Sequence, residues 1–97
     1  MTFKNFCESV NNDNVPEVNI YLKALWYDKK GNWEKAHKIA QDINDRHGSW
    51  IHAYLHRKEG DDLNASYWYH RAGKSMPAGT LNEEWENLVV QFLSYGN

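Results

Sequence analysis

The chain carries one pattern twice. Residues 21–36, YLKALWYDKKGNWEKA, and residues 50–65, WIHAYLHRKEGDDLNA, superpose at a shift of 29 positions. Tyr21 meets Trp50, Leu22 meets Ile51, Ala24 meets Ala53 and Lys29 meets Lys58; Gly31 meets Gly60, Asn32 meets Asp61 and Ala36 meets Ala65. The shared residues have a common physical reading. A small side chain in each helix of a hairpin lets two backbones approach. Glycine takes the left-handed conformation that ends the first helix. The Asn or Asp behind it accepts hydrogen bonds from the free N–H groups that open the second. Each copy is a helix–turn–helix unit, and a chain with two of them is constrained to pack hairpins.

The flanks read as helix too. Phe3, Phe6, Cys7 and Val10 stand at i, i+3, i+4 and i+7, one face of a short helix over about residues 3–10, which NNDN then breaks. Pro16 suits a first helical turn, so the pattern predicts a helix from residue 16 to about 30, ended by Gly31. Apolar residues surround most of that helix, which predicts packing on more than one side. A third helix is expected from Trp33 to Asp45 with Gly48 as its C-cap. Ser49 reads as the N-cap of a fourth ending at Gly60, and Asp61 or Asp62 as the cap of a fifth reaching about Lys74. Thr80 and Glu83 have capping-box spacing for a last helix over about residues 81–95. No alternating strand pattern runs beyond a few residues. The fold class expected is all-α, with about six helices.

Ninety-seven residues suffice for one domain, and apolar content of 41% with a net charge of −2 is the profile of an ordinary globular chain. That balance argues against a nucleic-acid or membrane-surface protein, which would carry a basic excess. The single cysteine, Cys7, excludes an intramolecular disulfide and fits a reducing compartment. Neither a signal-peptide core nor a membrane span is visible, so the expected localisation is cytoplasmic.

EGDDLNASYWYHRAGKSMP resembles the second half of a tetratricopeptide repeat, with Gly60-Asp61, Ala65, Tyr69, Ala72 and Pro77 at that motif's spacings. In the first unit Gly31, Ala36, Ala24 and Tyr27 fit, whereas Ala40 and Ile43 depart from the pattern. The resemblance covers residues 18–77, although the 29-residue period is shorter than the roughly 34 of the family. HAYLHRKEGD…NASYWYHRAG is also similar to a group of short bacterial proteins, a likeness that bears on fold and not on chemistry. The tetratricopeptide resemblance implies a right-handed array of antiparallel hairpins in one domain, residues 1–97. Its repeat units cover about 18–46 and 49–77, flanked by helices over about 3–10 and 81–95.

The same resemblance implies a concave surface lined by the first helix of each unit. Its groove positions fall on Tyr21, Leu25, Asp28 and Lys29, and on Trp50, Tyr54, Arg57 and Lys58. Rings beside cationic tips suit an extended peptide or its carboxylate. The function this implies is a non-catalytic protein-interaction module that binds another protein or peptide, with no cofactor, no nucleic acid and no membrane. The competing reading is that the terminal helices close the groove and the rings are core.

A rival from another class is a metal or small enzyme site. His52 and His56 stand at i, i+4, a spacing that two ligands on one helix face can use, and His70 is placed to join them from the next helix. The intervening AYL lacks the metalloprotease glutamate. Self-association, as a homodimer, is a third reading, because two repeats are fewer than the roughly three that usually stabilise such arrays. Cys7 on an apolar stripe reads as a structural thiol, and Glu83, Glu84 and Glu86 as acidic residues favouring a helix start. No catalytic residue is expected.

Overall fold

In the computed structural model, which describes residues 1–95, six helices follow one another: α1 Phe3–Asn11, α2 Ile20–Lys29, α3 Trp33–Gln41, α4 Arg46–Lys58, α5 Asp62–Ala72 and α6 Leu81–Leu93. No strand occurs among the described residues; Gly96 and Asn97, the end of the domain expected from sequence, lie outside them. No helix is long and apolar enough to cross a membrane.

Each helix start has a side-chain acceptor. Thr2, Asn19, Asn32, Asp45, Asp61 and Thr80 are the N-caps, and each accepts from a backbone N–H in the first turn. Thr80 and Glu83 form the expected capping box. Gly31 and Gly60, both at φ +87°, reverse the chain between α2 and α3 and between α4 and α5.

Three boundaries differ from expectation. α2 starts at Ile20 rather than at Pro16, because Asn19 supplies the cap by accepting from the Leu22 N–H at 2.9 Å. α3 stops at Gln41, short of Asp45. Asp45, not Ser49, caps α4, with its Oδ1 2.8 Å from the Gly48 nitrogen. Gly48 and Ser49 are therefore buried inside α4 rather than being a C-cap and an N-cap. Gly48 stands there for space: a Cβ on it would lie 2.5 Å from the Ile43 carbonyl oxygen.

The core explains why α2 is apolar all round. α2 packs against α3, α4 and α6. Leu22, Leu25, Ile51, Leu55, Leu88, Val89 and Phe92 are fully buried, and α1 adds Phe6 and Val10. A second small cluster, Ala53, Ala65 and Tyr69, joins α4 to α5, where the two alanines permit the close approach that the repeat pattern predicted. The Asn19 amide donates to the carbonyls of Phe92 and Tyr95 at 2.9 and 3.0 Å, which pins the end of α6 beside the start of α2.

Candidate functional site

The eight residues assigned to a groove do converge on one face, and α6 covers most of it. Tyr21 stacks on Phe92 at 4.6 Å between centroids, and its hydroxyl donates to Asp45 at 2.5 Å. That hydrogen bond, with some desolvation, pushes the Tyr21 phenol up to about 12. Leu25 is fully buried, and its carbonyl accepts from the Trp85 indole at 3.1 Å. Lys29 places its ammonium 4.6 Å above the Trp85 ring. The open peptide groove expected over Tyr21, Leu25, Trp50 and Tyr54 is thus occupied by the chain's own last helix. Trp85, Leu88 and Phe92 are buried there, and removing that apolar area from water stabilises the packing of α6 on α2 and α4.

Below α6 lie two buried polar sets. Asp28, 1% exposed, accepts from the Tyr54 hydroxyl and from the Lys58 ammonium, each at 2.8 Å. Burial, then the Asp28 charge, raises the Tyr54 phenol far above its ordinary value. Glu84, 3% exposed, is the centre of the other set. It accepts from Arg57 at 2.8 Å, from Tyr69 at 2.6–2.7 Å and from the Trp50 indole at 3.2 Å. Arg57 also donates to the Gly79 carbonyl. Burial opposes the Arg57 charge, but the Glu84 hydrogen bond and charge outweigh it and raise the guanidinium above its ordinary value. These are architectural arrangements, since among the described residues no buried side-chain nitrogen or oxygen is without a partner. Glu84, read from sequence only as an acidic residue favouring a helix start, is here a buried partner of Arg57, Tyr69 and Trp50. Its signal was positional: it is three residues after Leu81 and four before Leu88, on the buried stripe.

The histidines gather elsewhere, on the side where α3 meets α4. His52 and His56, both buried, stack with ring centroids 4.9 Å apart. His37 of α3, half-buried, stands edge-on to them at 4.5 and 5.1 Å. One potential ligand nitrogen from each of these three lies within 4.8 Å of the others. His70, the third histidine named from sequence, is exposed on α5 and does not belong to this group. His37 takes its place because Trp33 and His37, one turn apart on α3, face α4. The Trp33 indole donates to the Leu55 carbonyl at 2.9 Å and stacks on the His37 ring at 4.8 Å.

Indoles brace the cluster from both sides, since Trp68 stacks on His52 at 3.9 Å. Desolvation, helped by the neighbouring imidazoles, lowers His52 from 6.5 to about 4 and lowers His37 in the same sense. Cys7 is half-buried, and desolvation raises its thiol, which leaves it a poor nucleophile.

The outer face of α5 is open. Leu63 is 88% exposed and Tyr67 54% exposed. Arg71 lies over the rings of Tyr67 and Trp68 at 5.9 and 5.4 Å. Beside them a shallow cleft of about 270 Å³ is bordered by Ile43, Asp45, Arg46, Ser49, Trp68 and Arg71. No family model, curated protein or solved structure matches the chain.

Proposed function

We propose that the protein is a non-catalytic interaction module with a tetratricopeptide-like arrangement, in which α6 fills the concave face and the partner docks on the outer face of α5. The observation that carries this reading is the exposed row Leu63, Tyr67 and Arg71 at i, i+4 and i+8, with Trp68 and Arg46 beside it. Trp, Tyr and Arg are the side chains that dominate binding energy at interfaces. Two guanidinium groups border the cleft, and its one carboxylate, Asp45, is engaged by the Tyr21 hydroxyl and the Gly48 N–H, so the expected ligand is an acidic segment of another protein. Rings stand beside cationic tips on this face as well, outside the surface that α6 covers.

A peptide array of acidic and neutral sequences probed with the purified chain tests it. Tyr67→Ala and Arg71→Ala should each weaken acidic-peptide binding by about 1–3 kcal/mol and leave the thermal melt unchanged. Val90→Ala, at an exposed position of α6, should have no effect. Acidic peptides that bind equally well to all three variants would remove this face from consideration. A concentration-dependent dimer that Leu63→Asp dissociates would assign the face to a second copy instead.

A further inference from the structure

We propose that His37, His52 and His56 form a binding site for a divalent transition metal, with zinc the ion that the donors fit best. The three imidazoles come from two helices and place one nitrogen each within 4.8 Å. A tetrahedral ion with Zn–N bonds of about 2.0–2.1 Å needs its donor nitrogens roughly 3.3 Å apart. Rotation about the side-chain torsions closes that gap, because His52 and His56 are already one turn apart on α4 and His37 approaches from the side.

The surroundings of the cluster fit a ligand site. The His52 residue is 5% exposed, and its ring is held between Trp68 and the other two imidazoles. The Nδ1 of His56 lies 2.6 Å from Glu59 Oε1. A proton on Nδ1 would donate to that carboxylate and leave Nε2 as the donor to a metal. This is the carboxylate–histidine arrangement that orients metal-ligating imidazoles. Glu59 is thus a positioning residue. Asp61, the other carboxylate near His56, is committed to the Asn64 N–H and side-chain amide at 3.2 and 2.8 Å. Three neutral nitrogen donors suit zinc, copper or nickel rather than calcium or magnesium, and they leave a fourth tetrahedral position free.

The experiment is titration of chelator-treated protein with Zn²⁺ by calorimetry and with Co²⁺ by visible absorption. The expected result is one ion per chain, intense tetrahedral cobalt bands, and a change in indole emission as His52 rotates on Trp68. His37→Ala, at a half-buried position that the fold tolerates, should weaken binding at least 100-fold with an unchanged circular dichroism spectrum. Glu59→Gln should weaken it about 10–100-fold. His70→Ala should bind as the parent does. The proposal is overturned if the parent binds no more tightly than His37→Ala, or if His70→Ala is the variant that loses the ion.

Discussion

Glu84 of α6 holds Arg57 of α4 at 2.8 Å, with side-chain exposures of 3% and 16%, and this pair ties the last helix to α4. It makes the last helix a part of the helical packing rather than an appendage. A free guanidinium lining a groove would contribute little to folding. This one is a partner to a buried carboxylate.

Glu84→Ala should therefore cost about 3–5 kcal/mol, because removing one member leaves the other buried and uncompensated. Tyr69 and Trp50 lose their acceptor in the same change. Arg57→Ala should also destabilise, since it leaves the Glu84 carboxylate without its cation. Urea denaturation followed by circular dichroism measures both. If Arg57→Ala melts like the parent, the pair contributes only geometry.

Stability should fall as pH drops from about 6.5 towards 4. The unfolded chain binds a proton at His52 near its ordinary value of 6.5, whereas the folded chain resists it until about 4. The unfolded state binds more protons in this window, so acidification favours it. Above 6.5 the imidazole is neutral in both states and the contribution is complete. His37, lowered by burial and by His56, adds in the same direction, while the Glu59 charge beside the cluster opposes it. Asp45, held below its ordinary 3.8 by Tyr21 and the Gly48 N–H despite burial, acts only at lower pH. Urea midpoints measured at about pH 7.5 and about pH 5 should differ for the parent and differ less for His52→Gln. Equal midpoints in the parent would contradict the buried, neutral state of His52.

Two glycines should respond to alanine for different reasons. Gly60 sits at φ +87° with nothing within 4 Å of an added Cβ, so Gly60→Ala should cost about 1–2 kcal/mol from backbone conformation alone. Gly60→Asn should recover part of that. Gly48 has an ordinary helical backbone conformation, where alanine normally gains about 1 kcal/mol. Here the new Cβ meets the Ile43 carbonyl oxygen at 2.5 Å and its Cβ at 2.6 Å, so the sign reverses. Gly48→Ala should destabilise by about 1–3 kcal/mol, as overpacking does. A melt raised by Gly48→Ala would show that the α3–α4 connection moves freely aside.

By itself the sequence determined the local elements. The glycine-then-Asn/Asp turns, the alanines of the hairpin contact and the Thr80–Glu83 capping box are set by interactions within a few residues, which spacing alone encodes. The all-helical class followed from them, as did the crowding around α2. The tertiary structure decided which partner each face receives. Tyr21, Trp50 and Arg57 share a helical face whether it is open or covered, and only the path of the loop after Gly73 brings Glu84, Trp85 and Phe92 onto it. His52 and His56 were visible as a pair from their spacing. Their third neighbour, His37, lies on another helix, 15 positions before His52, and the crossing of α3 on α4 places it there. Side chains that meet across helices depend on rotation and crossing angle, which are set by packing of the whole core and leave no periodic trace in the chain.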